Sequence, residues 1–264
     1  MMVLGHLPRE PRRTRTMLRL GSVALGECPR VALALRDGAR AEAVQAALNE
    51  GVDILEFRID LFANQDPAAV QAELARWEGT PRIATVRMAA EGGGWRGNEA
   101  DRLALYRAVL AHAEAVDVEL AADAILDDAV AAAHDQGRLV LGSHHDFRET
   151  PPPDRLAAIA DKGRDHGADI IKVAANCQNT GDVQTLARFL LNTAYEDLVV
   201  IGMGAAGLCT RIFFPMLGSR ITYTFLGEAT APGQLTCEAT LRYLKAFQKG
   251  AADSNAGCDS ADSV

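Results

Sequence analysis

The chain has 264 residues, of which 48% are hydrophobic, and a formal net charge of −8. This length allows one large domain with an extensive core, and no apolar run reaches the roughly 18 residues that a membrane span requires. The negative charge disfavours nucleic acid and anionic membranes as partners, so an anionic substrate would need a local cluster of arginines.

The first part of the chain predicts a leader and a hairpin. Residues 1–16 are predicted to form a flexible, arginine-rich leader, which lacks the continuous apolar segment of a secretory signal. Residues 17–28 alternate loosely around Gly21 and Gly26, a pattern that predicts a short hairpin. The five cysteines of the chain are far apart and never form a CxxC pair. They argue against a disulfide framework and a zinc site, and favour a cytoplasmic location.

From residue 30 onward, strand-like and helix-like segments alternate. Strands are predicted at 30–36, 53–60, 81–88, 116–120, 138–147, 168–175, 197–204 and 220–227. Helices are predicted at about 39–50, 67–78, 99–113, 123–136, 153–166, 180–194, 208–217 and 235–249. This alternation implies right-handed βαβ crossovers and a parallel sheet. The predicted fold is therefore an α/β (β/α)8 TIM barrel over residues 17–249, followed by a disordered acidic tail at 250–264.

A doubly wound open sheet is the alternative architecture. No GxGxxG motif follows the first predicted strand, which argues against a dinucleotide-binding sheet. The glycine-rich run at 91–97 follows the third strand but contains no lysine of a P-loop. This run is interpreted as a mobile loop between strand and helix, and no cofactor is predicted.

Polar residues gather at the carboxyl ends of the predicted strands, where a barrel of this kind has its active site. Each of them alone has a structural interpretation, such as an ion pair within the barrel or a surface charge. Their convergence at one end of the scaffold indicates a functional site. In chain order they are Glu56, Arg58, Arg87, Glu91, Glu119, His144, His145, Asp146, Lys172, Arg211, Thr230 and Gln234.

Lys172 stands in the middle of the apolar strand 168–175. A buried ammonium is unfavourable unless it is paired or deprotonated, and a neutral lysine amine is a nucleophile that forms imines with carbonyl compounds. The alternative is a lysine that reaches water or pairs with an acid of the core. We expect Lys172 to be neutral for part of the time, because of its burial and the positive field of Arg58, Arg87 and Arg211.

The neighbouring strand supplies a histidine. Strand parity places His145 towards the barrel interior and His144 towards the helices, so His145 is the predicted acid and base. Glu91 would orient its imidazole. With Lys172 as an imine, these groups would remove water β to a carbonyl, or cleave a carbon–carbon bond, in an anionic keto compound.

The motifs carrying these residues resemble those of the type I 3-dehydroquinate dehydratases of the shikimate pathway. They are Asp53–Asp60 (DILEFRID), Ser143–Phe147 (SHHDF), Ala168–Val173 (ADIIKV), Gly202–Gly204 (GMG), Gly218–Ser219 and Ala231–Gln234 (APGQ). The resemblance covers about residues 28–249. It implies a homodimer, a hairpin that closes the bottom of the barrel, and conversion of 3-dehydroquinate to 3-dehydroshikimate. No metal or cofactor is predicted from the residues themselves.

The resemblance also assigns roles to the site residues. Lys172 forms the imine, His145 is the general acid and base, and Glu91 is the carboxylate beside it. The carboxylate and hydroxyls of the substrate are held by Glu56, Arg58, Arg87, Arg211, Thr230 and Gln234. Met203 and Tyr223 form apolar walls. Two residues depart from the family pattern: Ala34 and Thr230 each replace a more usual serine. The other readings are a class I aldolase-like lyase and a non-catalytic barrel that binds a small anionic ligand.

Overall fold

The computed structural model describes residues 17–26, 28–227 and 229–256, with the backbone alone described for 248–256. The predicted leader lies outside the described residues. The strands are β1 (Arg19–Leu20), β2 (Val23–Ala24), β3 (Arg30–Leu35), β4 (Ile54–Arg58), β5 (Arg82–Thr85), β6 (Ala115–Glu119), β7 (Leu139–Asp146), β8 (Ile170–Asn176), β9 (Leu198–Met203) and β10 (Ile221–Phe225).

Helices follow the barrel strands along the chain. They are α1 (Ala41–Glu50), α2 (Pro67–Ala75), α3 (Glu99–Val109), α4 (Leu126–Asp135), α5 (Pro153–Asp165), α6 (Thr180–Asn192), α7 (Gly204–Gly207), α8 (Thr210–Met216) and α9 (Cys237–Ala256). Helix α9 continues to Ala256, so 250–256 are helical where the sequence predicted a disordered tail. The rest of that tail lies outside the described residues.

Several of these helices begin at the capping residues that the sequence provides. The Asp66 carboxylate accepts hydrogen bonds from the first amides of α2, and Pro67 occupies the first helical position. Asn179 and Asp182 form a reciprocal capping box at the start of α6. Such caps satisfy backbone donors that have no partner within the helix. They fix the beginnings of α2 at Pro67 and of α6 at Thr180, where helices were predicted from the spacing of apolar residues.

Eight parallel strands form the barrel in the order β10-β3-β4-β5-β6-β7-β8-β9. Between the two outer strands of this order, Arg220 N donates to Leu198 O at 2.8 Å and Val200 N donates to Ser219 Oγ at 3.0 Å. These bonds bring β9 and β10 together, and the sheet is a nearly closed barrel. The predicted (β/α)8 fold is confirmed.

Successive residues of the strands face opposite sides of the barrel wall. On β3, Ala32 packs inside the barrel with Ile54 and Ile83, whereas Leu33 packs outside it among the helices. Both environments consist of buried apolar side chains, so the strands are apolar on both faces, as is typical of parallel sheets. A charged side chain in such a strand needs a partner or a polar cavity.

The antiparallel hairpin β1–β2 closes the bottom of the barrel, as predicted. Leu20 and Leu25 are buried in the interior cluster below Ile54 and Ile83. The Arg30 side chain, at the beginning of β3, donates to Ala24 O at 2.9 Å. Because the hairpin covers the amino ends of the strands, the opposite end is open for a site.

No helix of the described residues is long and apolar enough to cross a bilayer.

Candidate active site

An open cavity of about 510 Å³ lies at the carboxyl ends of the barrel strands. The sequence-predicted catalytic and binding residues all line it: Glu56, Arg58, Arg87, Glu91, His145, Lys172, Met203, Arg211, Tyr223, Thr230 and Gln234. Gly92, Phe147, Ala174, Ile201 and Ala231 complete the wall. Residues that are up to 178 positions apart in sequence thus line one cavity. The charged and apolar side chains in its wall suit a small polar ligand.

Lys172 lies on β8 with its ammonium buried among acids. Its Nζ is 2.7 Å from Asp117 Oδ2 and 3.4 Å from Glu56 Oε1, and it lies 4.1 Å from the centroid of the Tyr223 ring. Burial alone would lower the pKa of Lys172, but Asp117, Tyr223 and Glu56 together raise it well above its ordinary value. The expectation of a partly neutral lysine is therefore wrong for the unliganded protein, because the effect of these acids on the pKa of Lys172 outweighs that of burial and Arg87.

His145 and Glu91 form a pair beside the lysine. Glu91 Oε2 lies 2.9 Å from His145 Nδ1 and accepts the His145 backbone N–H at 2.8 Å. Burial, together with Arg87 and Lys172, holds the pKa of His145 well below its usual range. Burial also raises the pKa of Glu91 to about 7, against the opposing effect of Arg87. A neutral imidazole whose Nδ1–H is donated to Glu91 leaves Nε2 as a base.

Of the three arginines, two are held by carboxylates. Arg58 donates through Nε and Nη2 to both oxygens of Asp60, at 2.9 and 2.8 Å. Arg87 pairs with Asp117 at 2.7 Å and with Glu119 at 3.0 Å, and donates to Ser143 Oγ. These contacts fix both guanidinium groups in place before any ligand binds.

Arg211, on α8, has a different environment. It is 3% exposed, its Nη2 donates to Pro232 O at 3.1 Å, and its Nε has no hydrogen-bond partner among the described residues. Burial lowers the pKa of Arg211 to about 10, and no carboxylate of the described residues opposes this effect. A desolvated guanidinium in a cavity wall is suited to binding a carboxylate.

The loop that carries Thr230 and Gln234 is folded over Arg211. Gln234 Oε1 accepts the backbone N–H groups of Thr230 at 2.7 Å and Ala231 at 3.1 Å. Gly233 has a φ of +71°, and a Cβ there would lie 2.6 Å from Gly204 O. Only glycine allows this close approach. The loop is thereby packed against the segment that follows β9.

The comparison with known proteins gives this constellation a family. The family model described as Type I 3-dehydroquinase matches residues 31–251. The chain belongs to this family. A 3-dehydroquinate dehydratase of Methanococcoides burtonii is 37% identical over 226 residues, which cover 84% of this chain and 96% of the relative. One from Thermodesulfovibrio yellowstonii is 31% identical over 212 residues, covering 80% and 92%.

Solved structures of the family have the same fold. The 3-dehydroquinate dehydratase of Geobacillus kaustophilus superposes with a TM-score of 0.80 at 25% identity, covering 89% of this chain and 97% of that one. The enzyme of Aquifex aeolicus gives a TM-score of 0.74 at 28% identity, covering 83% and 98%. The resemblance stated from the motifs is thus confirmed along nearly the whole barrel.

Asp117 is a residue of this type I 3-dehydroquinase site that sequence reasoning missed. It lies on β6 with no exposed surface and bridges Arg87 and Lys172 through its two oxygens. These two cations hold the pKa of its carboxyl far below the ordinary value although burial opposes them. The signal was present: Asp117 and Glu119 are two residues apart on one strand and share a face. Only Glu119, at the strand end, had been singled out.

The glycine run after β5 has a structural role that differs from the predicted mobile loop. A Cβ on Gly93 would lie 2.0 Å from Arg87 O, and one on Gly94 would lie 2.3 Å from Asp60 O. Gly94 N also donates to the Asp60 carboxylate at 2.9 Å. The glycines allow the backbone to pack against the residues that position Arg58 and Arg87.

Two further positions complete the comparison with the sequence. Ala34, expected near the substrate, lines an adjoining cavity that meets the active site at Thr230. The hydroxyl of Thr230 donates towards Gln234 Oε1 at 3.2 Å. His144 does not line the site, in agreement with strand parity. The residue is half-buried, and its buried Nε2 has no hydrogen-bond partner among the described residues.

Proposed function

We propose that this chain is a hydro-lyase that converts 3-dehydroquinate to 3-dehydroshikimate through an imine on Lys172. The family and its relatives, which are named 3-dehydroquinate dehydratases, support the overall reaction. The observation that carries the mechanism is the meeting of three features in one cavity: Lys172, the His145–Glu91 pair, and Arg211, whose Nε has no hydrogen-bond partner among the described residues.

Binding comes first in this mechanism. The carboxylate of the substrate is held by Arg211 and Gln234, which neutralises the buried guanidinium. The hydroxyls are held by Glu56, Arg58 and Thr230. Because Asp117 and Glu56 keep Lys172 as an ammonium in the unliganded site, the lysine has to lose a proton before it reacts.

The neutral amine of Lys172 attacks the ketone carbon. The carbonyl oxygen then takes up one proton from the amine and the proton that the ammonium released, and leaves as water. The resulting iminium withdraws electrons, so the adjacent carbon becomes acidic. His145 Nε2 removes a proton from that carbon, and the electron pair moves into the iminium to give an enamine. When the enamine collapses, the carbon–oxygen bond of the β-hydroxyl breaks, and His145 returns its proton to the departing oxygen. Water then hydrolyses the iminium and frees Lys172.

One experiment tests this function. Incubation with 3-dehydroquinate and borohydride is expected to leave a reduced adduct on the peptide containing Lys172, while the ultraviolet absorbance of the enone product appears without borohydride. Absence of both adduct and enone contradicts the function. An adduct accompanied by carbon–carbon cleavage and no enone would instead identify an aldolase-like lyase. A fully active Lys172→Ala protein would contradict the mechanism.

The role of His145 has its own test. His145→Ala is expected to form the borohydride-trapped adduct but to turn over at least about a hundredfold more slowly, since it lacks the acid and base. Normal turnover would contradict this role.

The proposal also covers the oligomeric state of the protein and its cellular location. We infer a homodimer, as the family resemblance implies, and a cytoplasmic location. The free cysteines among the described residues, Cys28, Cys177, Cys209 and Cys237, support a reducing compartment. Sedimentation equilibrium at micromolar concentration tests the assembly, for which a mass close to that of one chain would be contrary evidence.

A further inference from the structure

Arg102 is a fully buried cation outside the active-site cavity. It lies on the outer helix α3 with no exposed surface and is the largest fully buried side chain among the described residues. Its Nη2 lies 3.0 Å from Glu119 Oε2 and 3.3 Å from Glu99 Oε2, as ion-pair contacts without hydrogen-bond geometry, and its guanidinium carbon is 6.0 Å from the Tyr106 ring centroid. A guanidinium in an apolar layer is unfavourable unless such partners compensate it. Helix α3 therefore carries a charge whose principal partner belongs to the barrel.

That partner connects Arg102 to the catalytic lysine. Four ion pairs follow one another through buried side chains whose charges alternate in sign. They are Arg102–Glu119 at 3.0 Å, Glu119–Arg87 at 3.0 Å, Arg87–Asp117 at 2.7 Å and Asp117–Lys172 at 2.7 Å. Glu119 and Asp117 have no exposed surface. Because water does not screen these charges, a change at one end of this charge chain alters the electrostatic potential along it.

We propose that Arg102 is a positioning residue for the reaction: it holds Glu119 from outside the barrel and thereby keeps Arg87 shared between Glu119 and Asp117. The proposal rests on the imine mechanism described above. Asp117 then keeps one oxygen for Lys172 and one for Arg87. Arg102 touches neither substrate nor Lys172, and acts through the carboxylates between them.

The consequence of removing Arg102 follows from the contacts of Glu119. Its Oε1 would still accept the Met88 N–H at 2.8 Å and contact Arg87, but the compensating charge of Arg102 beside its other oxygen would be gone. Its negative potential would act more strongly on Glu91, which also faces Arg87, Asp117 and His145. Lys172, which faces Asp117, Glu56, Tyr223 and Arg87, would feel the same change. Both groups would then lose their protons at higher pH.

The test compares three variants with the wild-type chain. Arg102→Gln is expected to move the acid limb of the kcat/KM profile upward by about one pH unit, and to slow borohydride trapping at pH 7 by about tenfold. Arg102→Lys keeps the charge and is expected to restore both. Arg107→Gln is the matched control: Arg107 lies on the same helix, is exposed, and has its nearest acid, Asp128, 3.8 Å away. It should leave both measurements unchanged.

If Arg102 had only a structural role, Arg102→Gln would lower kcat/KM without moving the acid limb of its pH profile. An acid limb that stays at the wild-type pH, or moves to lower pH, overturns the proposal. If Arg102→Gln does not fold, Glu99→Gln replaces it: it removes the competing acceptor at the partly exposed end of the charge chain, and should move the limb slightly downward. No movement overturns the proposal equally. A wild-type chain that forms neither adduct nor enone fails the proposed function instead.

Discussion

Within the part of the chain that the structure describes, Arg211 lies in the cavity wall as a buried charge without a carboxylate partner, whereas Arg87 lies between two carboxylates. This difference separates their mutational effects. Arg211→Gln is expected to raise KM by about a hundredfold, because charge-assisted hydrogen bonds to the substrate carboxylate contribute about 1.5–3 kcal/mol. It should not lower the free energy of unfolding, since it removes a desolvated charge. Steady-state kinetics and urea unfolding measure the two effects.

Arg87→Gln provides the matched comparison for Arg211. It leaves Asp117 and Glu119 with less compensation in a dry environment, which destabilises by about 3–5 kcal/mol when a buried pair is broken. If Arg211→Gln destabilises the fold as much as Arg87→Gln, then Arg211 is not the open anion site.

The Glu91 carboxyl links the stability of the protein to its activity in opposite directions. Burial raises its pKa from 4.5 to about 7. The folded state therefore binds a proton more tightly than the unfolded state does. This contribution to stability is present in full below about pH 4.5 and is lost as the pH rises through about 7. The proposed mechanism requires the opposite form, in which an ionised Glu91 stabilises the imidazolium of His145.

A comparison of the wild-type chain with Glu91→Gln tests this linkage. Between pH 4.5 and 7, the unfolding free energy of the wild type relative to the variant should fall by about 3 kcal/mol. This follows because folding raises the pKa of Glu91 from 4.5 to about 7, and one pKa unit corresponds to about 1.36 kcal/mol. Over the same range, kcat/KM of the wild type should rise. If the difference in unfolding free energy between the two proteins is the same at every pH, then folding does not shift the pKa of Glu91.

At the scale of the elements, the loop after β5 connects backbone packing to the charges of the site. Gly94→Ala places a Cβ 2.3 Å from Asp60 O and displaces the carboxylate that holds Arg58. We expect kcat/KM to fall by about tenfold or more, since a misplacement of 1 Å in a positioning group can cost about a hundredfold. Measurement of kcat/KM with 3-dehydroquinate checks this.

Gly137→Ala is the control for the Gly94 variant. Gly137 lies in the loop before β7, at the opposite end of the barrel, with a φ of +65° and no atom within 4 Å of an added Cβ. It is expected to lose about 1 kcal/mol of stability from backbone strain, with kcat/KM unchanged. Equal activity losses in the two variants would indicate a general effect of glycine replacement.

The elements themselves were predictable, because each rests on a local pattern. Strand runs, caps such as Asp66, and the parity that separates His145 from His144 are readable within a few residues. The charge state of Lys172 was not, because it depends on Asp117, which is 55 positions away in sequence and on a different strand. The burial of Arg102 was equally hidden, since a charged residue on a helix is ordinarily solvated. The close packing at Gly94 depends likewise on contact with another loop.

At the scale of the whole molecule, the barrel separates stability from chemistry along its axis. The interior cluster below the site is apolar and contains Ala32, Ile54 and Ile83, with Leu20 of the hairpin beneath them. The charged layer lies above, at the carboxyl ends of the strands. In barrels of this kind the bottom face serves stability and the top face serves function. The two ends should therefore respond differently to substitution.

Leu20→Ala tests this separation. Leu20 has no exposed surface, so its truncation leaves a cavity under the barrel and should lower the free energy of unfolding by about 3 kcal/mol. The turnover number at 25 °C should stay within about twofold of the wild type, since the charged layer does not contact this residue and uniform destabilisation leaves the folded site intact. Met17→Ala, at an exposed position of the same segment, should change neither quantity. A large loss of kcat in folded Leu20→Ala would mean that the hairpin also shapes the active site through the barrel interior.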